Sequence, residues 1–286
     1  MVLIVGCGDL GGEIARLLHL AGHDVVGVRA SNKPLPANIH AIVADVTKAK
    51  ALADLQNLQP EILIYCVAAN AQTDESYQSH YVDGLKNVLA TQVNNHALKH
   101  VFFVSSTRVY GEKAGEMLDE NSPAIPADFG GKRLLEAESL LNDMRHNSGA
   151  RVSACEATTM RLSGIYGSGR LYLMNMAKEL TRWPQQNSWS NRIHRDDAAR
   201  FIAFCCEKVF KNQALASTYI VTDDMPTQQY EVLTWLANKQ HVDTSTVNMP
   251  AAQGGKRLSN QRLRATGFAL QYPNYQVGYG EILRDV

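Results

Sequence analysis

The stretch "VGCGDLGGEIARLL", Val5 to Leu18, decides how the rest of the chain is read. It follows the apolar run "VLIV" (Val2–Val5), carries Gly6-x-Gly8-x-x-Gly11, and passes into a pattern of helical period closed by Gly22. A strand that turns through glycines into a helix leaves backbone N–H groups at the helix start, and these hold a diphosphate. Gly6 permits the tight turn, Gly8 lets the backbone approach a pyrophosphate, and Gly11 lets helix and strand pack closely. Glycines also make ordinary turns. What gives these a mechanism is their place at the first strand–helix junction of a βαβ unit. Asp9 and Leu10, between Gly8 and Gly11, belong to the same cradle.

Outward from the turn, the second strand "DVVGV" (Asp24–Val28) ends in "RASNK", with Arg29 where the ribose-binding residue is expected and Ser31 and Lys33 beyond. A carboxylate there takes the 2′-hydroxyl of NAD, whereas an arginine accommodates the 2′-phosphate of NADP. The expectation is therefore NADP, with NAD less favoured; an exposed arginine at a strand end is the plain alternative. Asp45, after the third strand, is placed to accept from the adenine amino group or to cap the next helix. Val46, beyond the third strand, and Ala68, near the end of the fourth, complete the expected cofactor set.

Further apolar runs, "AIVA" (Ala41–Ala44), "EILIYCVAA" (Glu61–Ala69) and "VFFVSS" (Val101–Ser106), alternate with helical patterns near Lys48–Asn57 and Tyr77–His96. Continuous apolar strands between helices imply a parallel sheet covered on both faces. The expected fold is α/β, a Rossmann-type doubly wound parallel sheet with a smaller, interleaved C-terminal substrate lobe. The expected division is 1–160 plus roughly 192–224 for dinucleotide binding, and 161–191 plus 225–286 for substrate. A polar loop follows Tyr110, then a helix over Lys132–His146, a strand near Arg151–Leu162, a helix over Asp196–Val209, a strand "STYIVTDD", and an α-rich cap from Met225.

The bulk numbers fit a soluble enzyme-sized chain. Of 286 residues, 45% are apolar and 20% charged, and the 28 Lys+Arg balance the 28 Asp+Glu. That balance gives no net field for nucleic acid or anionic lipid. Five cysteines, odd in number and mostly in apolar runs, read as buried thiols of a reducing compartment. A strand beginning at the initiator methionine leaves no room for a signal peptide, and no apolar run reaches membrane-spanning length. The expectation is a cytoplasmic monomer or homodimer. The nine histidines show no metal-ligand spacing with a third ligand.

Several stretches in order resemble the extended short-chain dehydrogenase/reductase superfamily, the NAD(P)-dependent epimerase/dehydratases. They are "VFFVSSTRVYGE" with "DENSPAIP", "MRLSGIYGSGR" (Met160–Arg170), "RIHRDDAARFIAFC", and "KRLSNQRLRATGFALQYPNY", the last resembling an atypical subgroup. The resemblance implies oxidoreductase or epimerase/dehydratase chemistry on a small or nucleotide-linked sugar. It also implies a tetrad of Asn, Ser or Thr, Tyr and Lys. Ser106, four residues before Tyr110, matches the serine; Asp83 in "YVDGLKNVL" replaces the asparagine. In relatives the helices around Tyr77–His96 and Lys132–His146 form a dimer face.

The Tyr-x-x-x-Lys pair should lie in "PADFGGKRLLEAE", Pro126 to Glu138. Three alignments put Phe129 and Arg133, Asp128 and Lys132, or Gly130 and Leu134 in the two roles, and none supplies both groups. No tyrosine in the chain has lysine four residues on; Tyr166 with Arg170 comes nearest. Losing a positioned acid or base costs about 10²–10⁴ in rate. Asp128, Lys132, Tyr110 and Tyr166 are the candidate substitutes, each with a packed or solvated side chain as its plain alternative. His194 reads as helix entry beside the capping Asp196 or Asp197. Arg161 and Arg170 read as phosphate binders or surface ion-pair partners, and Trp183, Trp189 and Tyr172 as core aromatics of the lobe. Two functions compete: an atypical NADP-binding oxidoreductase and a catalytically silent NADP-binding sensor. S-adenosylmethionine methyltransfer leaves "SSTRVYG" without a use.

Overall fold

The computed structural model describes residues 1–111, 115–146 and 155–284. Residues 112–114 of the expected polar loop and 151–154 of the expected strand lie outside the described residues. Strand β1 (Val2–Val5) is wholly buried and feeds α1 (Asp9–Leu20), which sinks Leu10, Ile14, Ala15 and Leu18 along one stripe. Strands β2 (Val25–Arg29) and β3 (His40–Val43) follow, then a 3-10 segment over Ala49–Asn57 that buries Leu52 and Leu55.

Next come β4 (Ile62–Tyr65), α2 (Asp74–Tyr77), a π-helical turn over Gln78–Asp83, and α3 (Gly84–Thr91). The single helix expected over Tyr77–His96 is thus in pieces, and the cause lies in β4. Tyr65 Oη donates to the His80 carbonyl from outside the helix. A Cβ at Gly84 would lie 2.5 Å from that phenol oxygen. A side chain inserted into the helical ladder widens it to a π turn, a distortion frequent at functional sites.

The chain continues through β5 (His100–Ser106), β6 (Met117–Leu118), α4 (Phe129–His146), β7 (Glu156–Leu162), β8 (Gly164–Tyr166) and α5 (Tyr172–Ala177). Then come β9 (Trp189–Ser190), β10 (Arg192–His194), α6 (Arg195–Phe210), β11 (Thr218–Val221) and β12 (Thr227–Gln228). Helix α7 (Gln229–Lys239), β13 (Arg257–Leu258), α8 (Gln261–Ala265) and α9 (Tyr275–Ile282) complete it. Seven strands form the main sheet in the order β11-β7-β5-β4-β1-β2-β3, and β1 pairs parallel with both β2 and β4. Strands β2 with β3 and β4 with β5 are also parallel. The expected doubly wound α/β fold is what the chain adopts. Sheet order reverses between β1 and β4, and ligands of such sheets bind outside the strand carboxyl ends at that reversal.

Two compact units divide the chain: Met1–Gly111 with Ala124–Arg161 and Ala199–Tyr219, and Glu112–Pro123 with Leu162–Ala198 and Ile220–Val286. The second has its own apolar core, built from Tyr166, Met174, Leu233, Leu236, Tyr275 and Tyr279. Its strands form three small pairs, β8 with β10, β9 with β12, and β6 with β13. Among the described residues no helix is long and apolar enough to cross a membrane.

Candidate functional site

The glycine turn has a geometry that separates the three glycines by task. Gly6 has φ +91°, and a Cβ there would lie 2.5 Å from the carbonyl carbon and oxygen of Cys66. Its backbone N–H and that of Cys7 donate to the Val28 carbonyl at 2.9 and 2.8 Å, pinning the turn to β2. A Cβ at Gly11 would meet the Gly6 carbonyl oxygen at 2.5 Å, so helix and turn touch through backbone. Gly8 differs: it is exposed, and a Cβ there would find only the Gly6 oxygen, at 4.0 Å. Packing within the chain therefore explains Gly6 and Gly11 but not Gly8. Gly8 is also the N-cap of α1, which begins with no side-chain cap and with Asp9 in its first turn. A helix start open in this way, under an uncrowded glycine, fits a diphosphate.

The other expected cofactor residues lie at or just after the carboxyl ends of β2, β3 and β4. Ser31 and Ala68 are exposed and Val46 is buried, its carbonyl receiving Asn87 Nδ2 at 2.9 Å. Asp45 Oδ1 accepts from Thr47 N and Oγ1 at 3.0 and 2.8 Å, and those bonds hold its carboxyl below the usual range. Those bonds close a local turn ahead of the 3-10 segment, whose N-cap is Lys48 with no side-chain cap, so the expected helix-capping role is not taken. Arg29 Nη1 donates to the carbonyls of Lys33 and Pro34, both at 3.3 Å.

At the carboxyl end of β5, strand alternation sends the paired serines to opposite sides. Ser105 Oγ donates to Glu138 Oε1 at 2.6 Å in the interior. Ser106 is half-buried and its Oγ receives the Arg108 N–H at 3.2 Å. Asp83 is exposed on the π turn, and its Oδ1 accepts from Gln78 Nε2 at 3.0 Å.

Phe129 opens α4 with its ring edge-on to Tyr77, centroids 5.4 Å apart. Arg133 grips Asp74 through two 2.8 Å bonds and reaches Glu136 at 2.9 Å, so its charge is already committed. Lys132 is exposed. Asp128 receives Arg108 Nε at 3.0 Å on both oxygens and Gly131 N at 2.8 Å. Partial burial works against its ionisation, but the bonds from Gly131 and Arg108 prevail and hold the carboxyl below the usual range.

The remaining candidates are spoken for. Tyr110 Oη accepts from Arg161 Nη1 at 2.7 Å, inside a buried network in which Arg161 pairs with Glu138 at 2.6 Å. Arg161 is thus an interior ion-pair partner. Tyr166 is buried in the second unit beside Tyr279 and His194, and burial pushes its phenol up. His194 is itself buried and packed against the Tyr272 ring; its Nδ1 accepts the Asp196 N–H at 3.2 Å at the entry to α6, while Asp197, one of the expected caps, accepts instead from Gln271 N and Tyr272 N. Burial pushes its imidazole down, which keeps that acceptor nitrogen neutral. Trp183 is buried, Trp189 half-buried and Tyr172 exposed. All five cysteines are free; burial pushes the Cys7 thiol up to about 11. Among the described residues no group of His, Cys, Asp and Glu is arranged to hold a metal ion.

One group in the first unit lay outside the sequence reading. Arg108 Nη1 donates to Tyr77 Oη at 2.7 Å and to Gln72 Oε1 at 3.1 Å, and Tyr77 Oη donates to the same Gln72 oxygen at 3.1 Å. The two glycines after Phe129 make room for this arginine. A Cβ at Gly130 would lie 2.5 Å from Arg108 Cζ, and one at Gly131 would lie 2.5 Å from the Arg108 carbonyl oxygen. The sequence signal was the arginine inside "SSTRVYG", two residues past Ser106.

An α/β sheet of this winding, with an open glycine turn at its first crossover, is the architecture of the Rossmann-type class. The model of the NAD dependent epimerase/dehydratase family matches residues 2–217, and the chain belongs to that family. A Methylobacillus flagellatus protein described as a candidate NAD-dependent epimerase/dehydratase is 45% identical, TM-score 0.88, over 99% of this chain and 97% of its own. UDP-glucose 4-epimerases share the fold. That of Thermotoga maritima, solved with UDP-glucose, is 16% identical with TM-score 0.81, over 99% of this chain and 97% of that one. That of Thermus thermophilus, solved with NAD, is 17% identical with TM-score 0.76, over 99% and 98%. No curated protein is similar enough to match.

These findings overturn the NADP expectation: the family and the 45% identical relative are described as NAD-dependent. The physical reason lies in Arg29, whose guanidinium braces the carbonyls of its own loop at Lys33 and Pro34. An arginine read at a strand end as a 2′-phosphate ligand is here a loop tether.

Proposed function

We propose that this protein binds NAD at the Gly6–Gly11 turn and oxidises or reduces a small hydroxyl or carbonyl compound, a nucleotide-linked sugar being the leading class. The observation that carries the reading is Gly8, exposed and uncrowded at the open start of α1, beside two glycines that packing alone requires. Backbone at Gly8, Asp9, Leu10 and Gly11 would hold the diphosphate, with Gly6 shaping the turn. Ser31, Asp45, Val46 and Ala68 would border the adenosine and nicotinamide ribose sides. The dinucleotide, when bound, supplies a hydride acceptor or donor. Ser106 would orient the substrate oxygen by hydrogen bond, while Asp83 faces solvent at the asparagine position. The second compact unit would take the substrate, and five free thiols suit a cytoplasmic setting.

The active site is degenerate in a specific sense: Phe129 has no proton to give and Arg133 is held by Asp74 and Glu136. That observation also sustains a second reading, a silent NAD-binding protein that senses the coenzyme. Calorimetry with NAD, followed by a turnover screen of UDP-sugars and short aldehydes, separates them. Heat with turnover supports the enzyme, heat without turnover the sensor, and no heat removes both.

A further inference from the structure

We propose that Tyr77, held by Arg108, takes the acid–base role that Phe129 cannot fill, and that Gln72 keeps the place of the substrate carbonyl. The proposal rests on the oxidoreductase reading above. Its basis is a triangle of polar atoms against the first turn of α4. The Gln72 side-chain oxygen is itself a carbonyl oxygen, and it accepts from both Tyr77 Oη and Arg108 Nη1, each at 3.1 Å. A phenol proton and a guanidinium N–H converging on one carbonyl oxygen are what a carbonyl needs as its carbon takes hydride.

The neighbours fix this geometry. Tyr77 is buried, its ring edge-on to Phe129, the residue that one of the three alignments puts in the tyrosine's role. Arg108 is oriented by its Nε–H, which both Asp128 oxygens share, and lies over both rings, 5.1 Å from the Tyr77 centroid and 5.3 Å from that of Phe129. Ser106 Oγ takes the Arg108 backbone N–H, which ties the triangle to the serine of the tetrad. Gln72, by contrast, is exposed on the segment after β4 and can leave its seat without repacking the interior.

The step balances simply. In reduction, the carbonyl carbon gains hydride from the reduced nicotinamide and its oxygen gains the proton of Tyr77 Oη. The O–H bond of Tyr77 breaks, the phenolate is neutralised in place by Arg108, and water returns the proton. Oxidation of a secondary hydroxyl is the reverse. Arg108 thereby serves where a lysine stands in relatives.

The test uses the full-length protein. Tyr77→Phe is expected to lower kcat by about 10²–10⁴ while KM and NAD affinity stay unchanged. Gln72→Ala, which opens the seat, is expected to lower KM. With meta-fluorotyrosine at position 77, a more acidic phenol of the same shape, the pH dependence of kcat should move acidward. In the coenzyme-free protein the fluorine resonance should move on Arg108→Met, and in Gln72→Ala it should move when acetamide is added. A Tyr77→Phe enzyme that turns over at the wild-type rate overturns the proposal and leaves the oxidoreductase reading standing. So does a fluorine resonance indifferent to both Arg108→Met and acetamide, a result that needs no turnover. NAD binding with no turnover of any screened compound overturns both.

Discussion

Substituting alanine at Gly6 and at Gly8 separates what the fold needs from what the ligand needs. At Gly6 the backbone has φ +91°, which costs a side-chain-bearing residue about 1–2 kcal/mol. The new Cβ would also lie 2.5 Å from Cys66 C and O and 2.6 Å from Val67 N. Those are backbone atoms at the exit of β4, so the sheet itself must yield, an overpacking cost of about 1–3 kcal/mol. Gly6→Ala should therefore destabilise by about 2–5 kcal/mol, a large share of the ~5–15 kcal/mol that holds a typical domain. Gly8→Ala meets only the Gly6 oxygen at 4.0 Å, so it carries none of the packing cost of Gly6→Ala and its stability should fall by less. What that Cβ fills is the space a diphosphate would use, and NAD affinity should fall about tenfold or more, ~1.4 kcal/mol. Urea midpoints measure the first quantity and calorimetry with NAD the second. A folded Gly8→Ala protein that binds NAD as tightly as wild type refutes the assignment of the turn. An unmoved midpoint for Gly6→Ala refutes the packing argument.

Glu138→Gln leaves the buried Arg161 guanidinium without its counter-charge and should cost about 3–5 kcal/mol; a urea midpoint like that of wild type would show the pair to be idle. Asp223 is buried, and burial raises its carboxyl to about 7 against an unfolded value near ~3.9. Because the folded value is the higher, its contribution is full below the unfolded range and is lost as pH rises through about 7. The three-unit gap caps the loss at about 4 kcal/mol. Stability measured against pH should fall over that window, and Asp223→Asn should flatten it; an unchanged slope in the variant would assign the effect elsewhere. Gly130→Ala puts a Cβ 2.5 Å from Arg108 Cζ, the end of a movable side chain, while removing a glycine from a helix. Stability should hold or rise by up to about 1 kcal/mol while turnover falls; full turnover would mean that Arg108 has no part in it.

Legibility in the sequence followed the distance over which each interaction is set. The glycine turn was readable because its constraints act within a few residues and between consecutive elements: Gly11 against Gly6, Gly6 against the start of the segment after β4. The central strands were readable because they are buried on both faces, as Val2–Val5 and Ile62–Tyr65 are, and so run apolar without interruption; β3, at the sheet edge, is largely exposed. The broken helix after β4 was not, since its π turn is imposed by Tyr65, a phenol reaching from the strand to the His80 carbonyl. Arg29 misled for a related reason: charge and position suggested a phosphate, but loop carbonyls folded back onto it. The absence of a Tyr-x-x-x-Lys pair was plain, and the readings offered for it stayed inside "PADFGGKRLLEAE" or among isolated tyrosines. What stands against Phe129 is assembled from Gln72, Tyr77, Arg108 and Asp128, which no spacing rule links. The glycines at 130 and 131 were the one trace left in the local sequence. Two adjacent glycines in the first turn of a helix lower its stability, and here the volume their side chains would take is filled by Arg108.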